Sequence, residues 1–197
     1  MPYAIVGYFD PDTDEKIKGI WKTFAETGIS GYLHESENDP HIKFAMYESI
    51  HVEQALKYLE AFTKHFAKLG LHFKNYGIYP GDEPILFLDI SATIQILEWQ
   101  HEVKAALRPM GEEAGVDFFD QGIWKPDCFL SNAMDKANVD QAIRILYETP
   151  LPFKGYLVSL GLLEFYPARQ LGRYTLQDNR TDIRPETAET GQKPGLD

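Results

Sequence analysis

The chain has 197 residues, of which 44% are hydrophobic, 13% aromatic and 25% charged, and this composition excludes a fibrous, collagen-like or wholly disordered protein. It carries 19 Lys and Arg against 30 Asp and Glu, a formal net charge of −11. That charge argues against a protein that binds long stretches of nucleic acid, because neutralising the phosphates requires a surplus of cations. A nucleic-acid end or a small anionic ligand remains compatible with it.

Cysteine content and hydropathy bear on the cellular compartment. Cys128 is the only cysteine, so no intrachain disulfide can form, which is typical of a reducing compartment. Residues 3–9 form a short apolar run without a basic segment before it, and no apolar stretch is long enough to cross a bilayer. We therefore expect a cytoplasmic protein that does not insert into membranes.

Apolar residues in the first part of the chain predict strands and helices in alternation. A strand at 3–9 meets Asp10 and Pro11, a capping residue and a first-turn proline that begin a helix, and Gly28 is expected to end it. A polar segment at 29–40 leads into a second strand. Alternation predicts Ile42, Phe44 and Met46 on its buried face and His41, Lys43 and Ala45 on the other face.

The rest of the chain continues this pattern and then changes composition. We predict a helix from 52 toward Gly70, strands at 71–79 and 84–90, a helix at 92–107, a strand at 127–133, a helix at about 139–146, and a hairpin at 153–166 and 171–176. Apolar residues nearly vanish after that hairpin. The sequence therefore predicts one domain over residues 1–176 and a polar C-terminal tail over residues 177–197.

Two segments of the chain repeat each other. Residues 52–59 (VEQALKYL) align with residues 139–146 (VDQAIRIL), with four identical positions and three that keep their chemistry. Each copy follows a strand that begins at a proline, Pro40 or Pro126, and each precedes a Phe-Lys-x-Tyr sequence. Repeated units usually pack against each other. We therefore expect two antiparallel sheets related by a pseudo-two-fold axis, with the helices outside and a ligand cleft between the two proline-led strands.

The element order, the duplication and the segment Pro40-His41-Ile42-Lys43-Phe44-Ala45 resemble the two-histidine phosphoesterase superfamily, which includes the 2′,5′ RNA ligase-like and cyclic phosphodiesterase proteins. The resemblance covers nearly all of residues 3–176. It implies a two-lobed α+β fold. It also implies a His-x-Thr/Ser motif on each of two central strands, in which the histidines act as base and acid on a phosphodiester and the hydroxyl groups hold its oxygens.

One of the four motif positions is kept in this chain. His41 matches the first histidine, whereas Lys43 stands at the first hydroxyl position. In the second copy, Asp127 stands at the histidine position and Phe129 at the hydroxyl position, so the second motif is degenerate. The pKa of an ordinary Asp is about 3.9 and that of His is about 6.5, which makes Asp127 the weaker base unless burial raises its pKa.

The resemblance and the chemistry of these residues together suggest roles in the cleft. We predict His41 and Asp127 as the acid–base pair and Lys43 as the charge that holds a phosphate oxygen. Ser131 is predicted to assist in phosphate binding, because the two-residue period places it on the strand face of Asp127.

Aromatic residues near the second strand extend the predicted site. Phe129 and Trp124 are predicted to stack on a ligand ring, with packing of Trp124, Phe118 and Phe119 in the core as the alternative. Cys128 is expected on the buried face as an inert thiol.

No metal or other cofactor is predicted. The loop that carries His34, Glu35, Glu37, Asp39 and His41 is acidic enough to suggest a metal site, but it lacks a recognised ligand spacing, and a solvated loop is the alternative. The sequence contains no GxGxxG, P-loop, GxSxG or HExxH motif.

The sequence thus predicts a diverged phosphoesterase that acts on a small cyclic phosphate or an RNA-end phosphodiester. The alternative is a noncatalytic module that binds a nucleotide or a protein through the same cleft. The predicted partner is a small phosphorylated ligand or an RNA end, not a membrane or a long nucleic-acid tract, and the oligomeric state is left open. Turnover of a 2′,3′-cyclic nucleotide distinguishes the two functions.

Overall fold

The computed structural model describes residues 2–36, 38–115, 117–132, 134–165 and 168–178. The strands are β1 (Tyr3–Phe9), β2 (His41–Ile50), β3 (Leu69–Tyr79), β4 (Ile85–Ile90), β5 (Gly111–Glu113), β6 (Asp127–Phe129), β7 (Phe153–Glu164) and β8 (Arg169–Thr175). The helices are α1 (Pro11–Glu26), α2 (Tyr32–Glu35), α3 (Val52–His65), α4 (Ile94–Leu107) and α5 (Val139–Tyr147). The predicted order is confirmed, with α2 and β5 added in segments predicted as loops. Glu37, Ala133 and residues 179–197 of the predicted tail lie outside the described residues.

The strands form one continuous antiparallel sheet of eight strands. Their order is β5-β2-β1-β7-β3-β4-β6, and β8 pairs with β7. The two predicted sheets are the halves of this sheet, joined where the first part of β3 pairs with the first part of β7, from Leu69 opposite Leu157 to Phe73 opposite Phe153. Sheet and helices together form the predicted α+β fold. Among the described residues, no helix combines the length and apolar character needed to cross a membrane.

The two halves of the sheet are related by an internal pseudo-two-fold axis. The chain runs β1-α1-β2-α3-β3 and then β4-α4-β6-α5-β7, so that β2-β1-β7 on one side of the sheet corresponds to β6-β4-β3 on the other. His41 of β2 lies opposite Tyr8 of β1, as Asp127 of β6 lies opposite Asp89 of β4. These registers make His41 the counterpart of Asp127.

A β-bulge recurs at the same place in both halves. Between β1 and β7, the pairing passes from Phe9–Leu157 to Tyr8–Ser159, and between β4 and β3 it passes from Ile90–Phe73 to Asp89–Asn75. Each shift inserts one residue in the longer strand, Val158 in β7 and Lys74 in β3. Phe73 is therefore the counterpart of Leu157. The two Phe-Lys-x-Tyr sequences are not equivalent, because Phe73 instead lies opposite Phe153.

A second bulge changes which side chains of β2 reach the cleft. Lys43 pairs with Val6 but Ala45 pairs with Ile5, so one residue of β2 is inserted between them. Ile42, before the bulge, and Phe44, the inserted residue, are buried in the main core as predicted. After it the prediction is wrong, because Ala45 is buried in that core and Met46 lies on the opposite face, where it lines a cavity.

Candidate active site

The two equivalent strands β2 and β6 border one cavity of about 210 Å³. His41, Lys43 and Met46 line it from β2, and Asp127, Cys128 and Phe129 line it from β6. Its remaining walls come from α1, from α2 and the segment after it, and from residues next to the ends of β1, β6 and β7. These residues are Trp21, Tyr32, Leu33, Asn38, Pro2, Asn132 and Phe165. The structure therefore brings the predicted acid–base pair into one cavity.

Each of these two strands accepts a hydrogen bond from a tryptophan. The indole N–H of Trp124 donates a hydrogen bond to the main-chain oxygen of Lys43, at 2.9 Å, and the indole N–H of Trp21 donates to that of Phe129, at 3.0 Å. Lys43 and Phe129 are counterparts under the pseudo-two-fold axis, two residues after His41 and Asp127 respectively. Each strand of the cleft is thus held through an equivalent main-chain carbonyl group.

His41 is a neutral imidazole with a fixed tautomer. Its Nδ1 lies 2.8 Å from the main-chain oxygen of Asp39, and because a carbonyl group can only accept, Nδ1 carries the proton and Nε2 has a free lone pair. Burial lowers the pKa of His41 to about 4, and the nearby Lys43 ammonium acts in the same direction. His41 can therefore accept a proton at neutral pH.

Asp39 is itself fixed by two cations. Its carboxylate oxygens lie 2.6 Å from Lys18 Nζ and 2.8 Å from Arg173 Nη1. Because these side chains come from α1 and β8, they hold the chain directly before β2 against two other elements. The two ion pairs of the Asp39 side chain therefore also fix its main-chain oxygen, which orients His41.

Asp127 is held by a phenol. The Tyr79 hydroxyl donates a short hydrogen bond to Asp127 Oδ2, and the Tyr79 ring is stacked on Phe87 with the centroids 4.4 Å apart. Burial raises the pKa of Asp127, whereas the Tyr79 hydrogen bond and the charges of Lys125 and Lys43 act against that rise. A carboxyl group in this environment keeps its proton to higher pH than an exposed aspartate does.

Lys43 lies between the two halves of the site. Its Nζ is 4.2 Å from the ring centroid of Phe129, a cation–π contact that joins β2 to β6. Burial lowers the pKa of Lys43, and the charge of Asp127 acts in the opposite direction. An ammonium group in the wall of a small cavity is suited to attract a phosphate oxygen.

The chain has the fold of proteins whose crystal structures are known. The TT0787 protein of Thermus thermophilus superposes with a TM-score of 0.61 at 14% identity, covering 91% of this chain and 100% of that one. A phosphoesterase gives 0.59 at 14% identity, covering 89% and 98%, and Escherichia coli LigT in its apo form gives 0.56 at 11% identity, covering 90% and 98%. No family profile and no curated protein matches the sequence.

This chain has the LigT-like fold. The four positions at which the sequence resemblance predicts the motif, 41, 43, 127 and 129, all line the cavity. Phe129 contributes its ring to the cavity wall, where the Lys43 ammonium covers it. The roles of these residues in catalysis and binding remain predictions.

Two residues predicted for the site do not reach it as expected. Ser131 is fully buried, and its hydroxyl accepts a hydrogen bond from the main-chain N–H of Leu86 at 2.9 Å. The N–H groups of Leu130 and Ser131 both donate to Leu86 O, which breaks the two-residue period after Phe129 and turns Ser131 away from the cavity. Trp124 is 7% exposed and packs on Phe44 at 5.6 Å, so it supports the cleft from the core.

Sequence reasoning missed the roles of Tyr79, Trp21 and Asp39 in the site. Tyr79 is the last residue of β3, directly before a turn, and no local pattern connects it with a carboxylate 48 positions away. Trp21 belongs to the apolar stripe of α1, so the sequence indicates that it is buried but does not reveal its hydrogen bond to Phe129. Asp39 lies two residues before His41, and that short spacing was the one available signal.

Two further predictions concern cysteine and metal ions. Cys128 is buried, as expected, and burial raises the pKa of its thiol. In the parts of the chain that the structure describes, no cluster of three or more His, Cys, Asp or Glu side chains is arranged to hold a metal ion. Glu37 of the acidic loop lies outside those parts.

Proposed function

We propose that this protein hydrolyses a small cyclic phosphate or an RNA-end phosphodiester in the cavity between β2 and β6. The observation that supports this proposal is the presence of a neutral imidazole, an ammonium group and a partly buried carboxyl group in the wall of one cavity. Escherichia coli LigT, which has this fold, has been crystallised with 3′-AMP and with phosphate, and these two complexes support a small phosphorylated ligand for this chain. A cytoplasmic location belongs to the same proposal and rests on the single cysteine.

His41 is the general base in this mechanism. Its Nε2 takes a proton from a water molecule while the water oxygen forms a bond to phosphorus. The hydrogen bond from Nδ1 to Asp39 O keeps the imidazole oriented and stabilises the imidazolium that forms. His41 is suited to this role and not to that of the acid, because its low pKa leaves it unprotonated at neutral pH.

Asp127 is the general acid and Lys43 holds the anion. As the ester bond from phosphorus breaks, the Asp127 carboxyl group gives its proton to the departing oxygen, and the product is a phosphomonoester. The imidazolium of His41 then returns a proton to the Asp127 carboxylate, which restores both groups. Lys43 stabilises the charge on the non-bridging oxygens.

The size of the cavity limits the ligand. At about 210 Å³ it is smaller than a typical small-molecule site of about 300–1,000 Å³. We therefore expect it to enclose the phosphate and part of the attached sugar, with the rest of the ligand outside. A cyclic phosphate at the end of a nucleotide or an RNA chain satisfies this requirement.

Ring opening of 2′,3′-cyclic nucleotides, followed by ³¹P NMR, tests the proposal. We expect slow turnover by the wild type and its loss in His41→Ala. His65→Ala is the matched control, because His65 also places its Nδ1 at a main-chain oxygen, that of Ala61 at 2.7 Å, but lies exposed at the end of α3. Equal loss of turnover in both variants, or none in either, contradicts the assigned role of His41.

A noncatalytic binding function is the second candidate, and the Lys43–Phe129 contact favours it. Both hydroxyl positions of the family motif are occupied by this cation–π pair, which provides one charged donor and no hydroxyl group. Phosphate binding in the cavity together with absent turnover identifies this function. Absence of both binding and turnover contradicts the two candidates together.

A further inference from the structure

The second half of β3 has an unpaired edge. Residues 75–79 pair with β4 on one side, but on the other side β7 pairs only with residues 69–73. Within the described ranges, no other strand and no main-chain hydrogen bond from a loop reaches the outer side of 75–79. Such an edge leaves peptide N–H and C=O groups available to another strand.

The pseudo-two-fold axis shows what covers the equivalent edge. Because Phe73 is the counterpart of Leu157, residues 75–79 of β3 correspond to residues 159–163 of β7. That stretch of β7 is paired with β8, from Ser159 opposite Thr175 to Leu163 opposite Gln170. One lobe thus contains an additional antiparallel strand at a position that is open in the other lobe.

A groove of about 610 Å³ lies along the open edge. It is walled by β3, by α5 and by the segment that follows α5. Three apolar side chains that line it are exposed, Ile78 to 43%, Ile143 to 38% and Tyr147 to 83%. Exposed apolar residues grouped around a groove are typical of an interaction site.

The repeat explains why Ile143 is exposed. Its counterpart in α3 is Leu56, since residues 52–59 align with residues 139–146. Leu56 lies over Gly172 of β8, so closely that a Cβ atom at Gly172 would be 2.5 Å from Leu56 Cδ2. The same helix position therefore covers a strand in one lobe and faces solvent in the other.

The charge of the groove indicates the chemistry of its occupant. Lys74 is the one charged residue among those that line the groove, and it is the bulge residue directly before 75–79. β8 is antiparallel to β7 with Thr175 opposite Ser159, so a strand bound in the same way has its carboxyl-terminal end beside Lys74. A carboxylate there complements the ammonium group. A second copy of this chain, with a net charge of −11, is instead repelled.

We propose that this groove binds an extended segment of a partner protein as an additional strand antiparallel to β3. Apolar side chains of the segment pack on Ile143 and Tyr147, and a carboxylate at its carboxyl-terminal end pairs with Lys74. Main-chain hydrogen bonds to 75–79 supply affinity, and the apolar and charged contacts supply specificity, as in other cases of β-strand addition. This interaction goes beyond the proposed hydrolytic function and does not depend on it.

Two peptides provide the test, Thr-Val-Thr-Val-Thr-Glu and the same sequence ending in Lys, both acetylated at the N-terminus and amidated at the C-terminus so that only the Glu side chain supplies a carboxylate. We expect the Glu peptide to slow amide hydrogen exchange at residues 75–79, measured by NMR on the full chain, and to bind at least tenfold more tightly than the Lys peptide. Lys74→Glu should reverse that preference. Lys154→Glu is the matched control, because Lys154 also follows a phenylalanine in a Phe-Lys-x-Tyr sequence but does not line the groove, and it should leave the preference unchanged.

Several results overturn the proposal. The proposal is wrong if neither peptide changes amide hydrogen exchange at residues 75–79. It is also wrong if the wild type binds the Glu peptide and the Lys peptide with equal affinity. Dimerisation in analytical ultracentrifugation that Tyr147→Ala abolishes identifies a second copy as the occupant and also overturns it. Tyr147 is exposed enough for this variant to keep the fold. None of these measurements involves turnover, so they test the groove independently of the hydrolytic proposal.

Discussion

His41 and Asp127 are both shifted toward their neutral forms by the same cause. Burial lowers the pKa of the imidazole to about 4 and raises the pKa of the carboxyl group, because a low-dielectric environment disfavours the charged form of each. An unprotonated base and a protonated acid can therefore coexist at acidic pH. This combination is what two-group catalysis requires, and an exposed His–Asp pair does not provide it.

The pH dependence of hydrolysis follows from these shifts. We expect kcat/KM to rise with pH through about 4, as His41 loses its proton, and to fall at higher pH, as Asp127 loses the proton that it must donate. A pH–rate profile with a 2′,3′-cyclic nucleotide measures both limbs. An optimum above neutral pH contradicts the assignment of Asp127 as the acid.

Tyr79→Phe tests how Asp127 is tuned. The Tyr79 hydroxyl donates to the Asp127 carboxylate and so favours its charged form, which means that removing the hydroxyl raises the pKa of Asp127. We expect the upper limb of the pH profile to move to higher pH, with the lower limb unchanged. Tyr156→Phe, at an exposed position, is the control. If the limb stays in place, Asp127 is not the group that titrates there.

Lys43→Ala tests the anion-binding role. Hydrogen bonds to charged groups contribute about 1.5–3 kcal/mol, so we expect phosphate affinity to fall about tenfold to a hundredfold, measured by isothermal titration. Lys57→Ala is the control, since Lys57 pairs only with Glu53 on an exposed helix face. Equal effects at positions 43 and 57 rule out a specific anion site.

At the scale of the elements, periodicity predicted the strands well and failed where a strand is irregular. Ile42 and Phe44 follow the two-residue period, but the inserted residue exchanges the faces of Ala45 and Met46. Ser131 was misplaced for the same reason, since two successive N–H groups donate to Leu86 O. Bulges are set by pairing with another strand, and the residues of one strand alone do not reveal them.

Ser131→Ala distinguishes the structural role from the predicted binding role. The substitution leaves the buried N–H of Leu86 without its acceptor, which costs about 1–3 kcal/mol. We expect the free energy of unfolding, measured with urea, to fall by that amount, while phosphate affinity of the folded protein stays within a factor of two. If phosphate affinity falls strongly while the free energy of unfolding is unchanged, Ser131 does bind the ligand.

At the scale of the whole molecule, the repeat carried the prediction of the fold. The aligned positions of α3 and α5 are buried in both lobes. They are Ala55 and Leu59 in α3 and their counterparts Ala142 and Leu146 in α5. From that repeat follow the two lobes and the cleft between β2 and β6. The single continuous sheet and the position of Tyr79 depend on contacts between distant segments, which the sequence pattern does not encode.

Restoring the family motif is a test of the whole molecule. We expect the triple variant Lys43→Thr, Asp127→His and Phe129→Thr to hydrolyse 2′,3′-cyclic nucleotides faster than the wild type, because positioned acid–base catalysis contributes on the order of 10² to 10⁴ in rate. Initial rates at neutral pH measure the change, with circular dichroism to establish folding. A folded triple variant that is no faster shows that position 127 does not serve as the second histidine position.

The two tryptophan hydrogen bonds to the strands of the cleft end on main-chain oxygens, those of Lys43 and Phe129. Any amino acid at these two positions supplies the same acceptor, so both hydrogen bonds are independent of the side chains that face the cavity. Substitutions there can change the reactivity of the cavity while both hydrogen bonds are kept. The protein is accordingly a favourable starting point for engineering, in which new reactive groups can be introduced at 43 and 129.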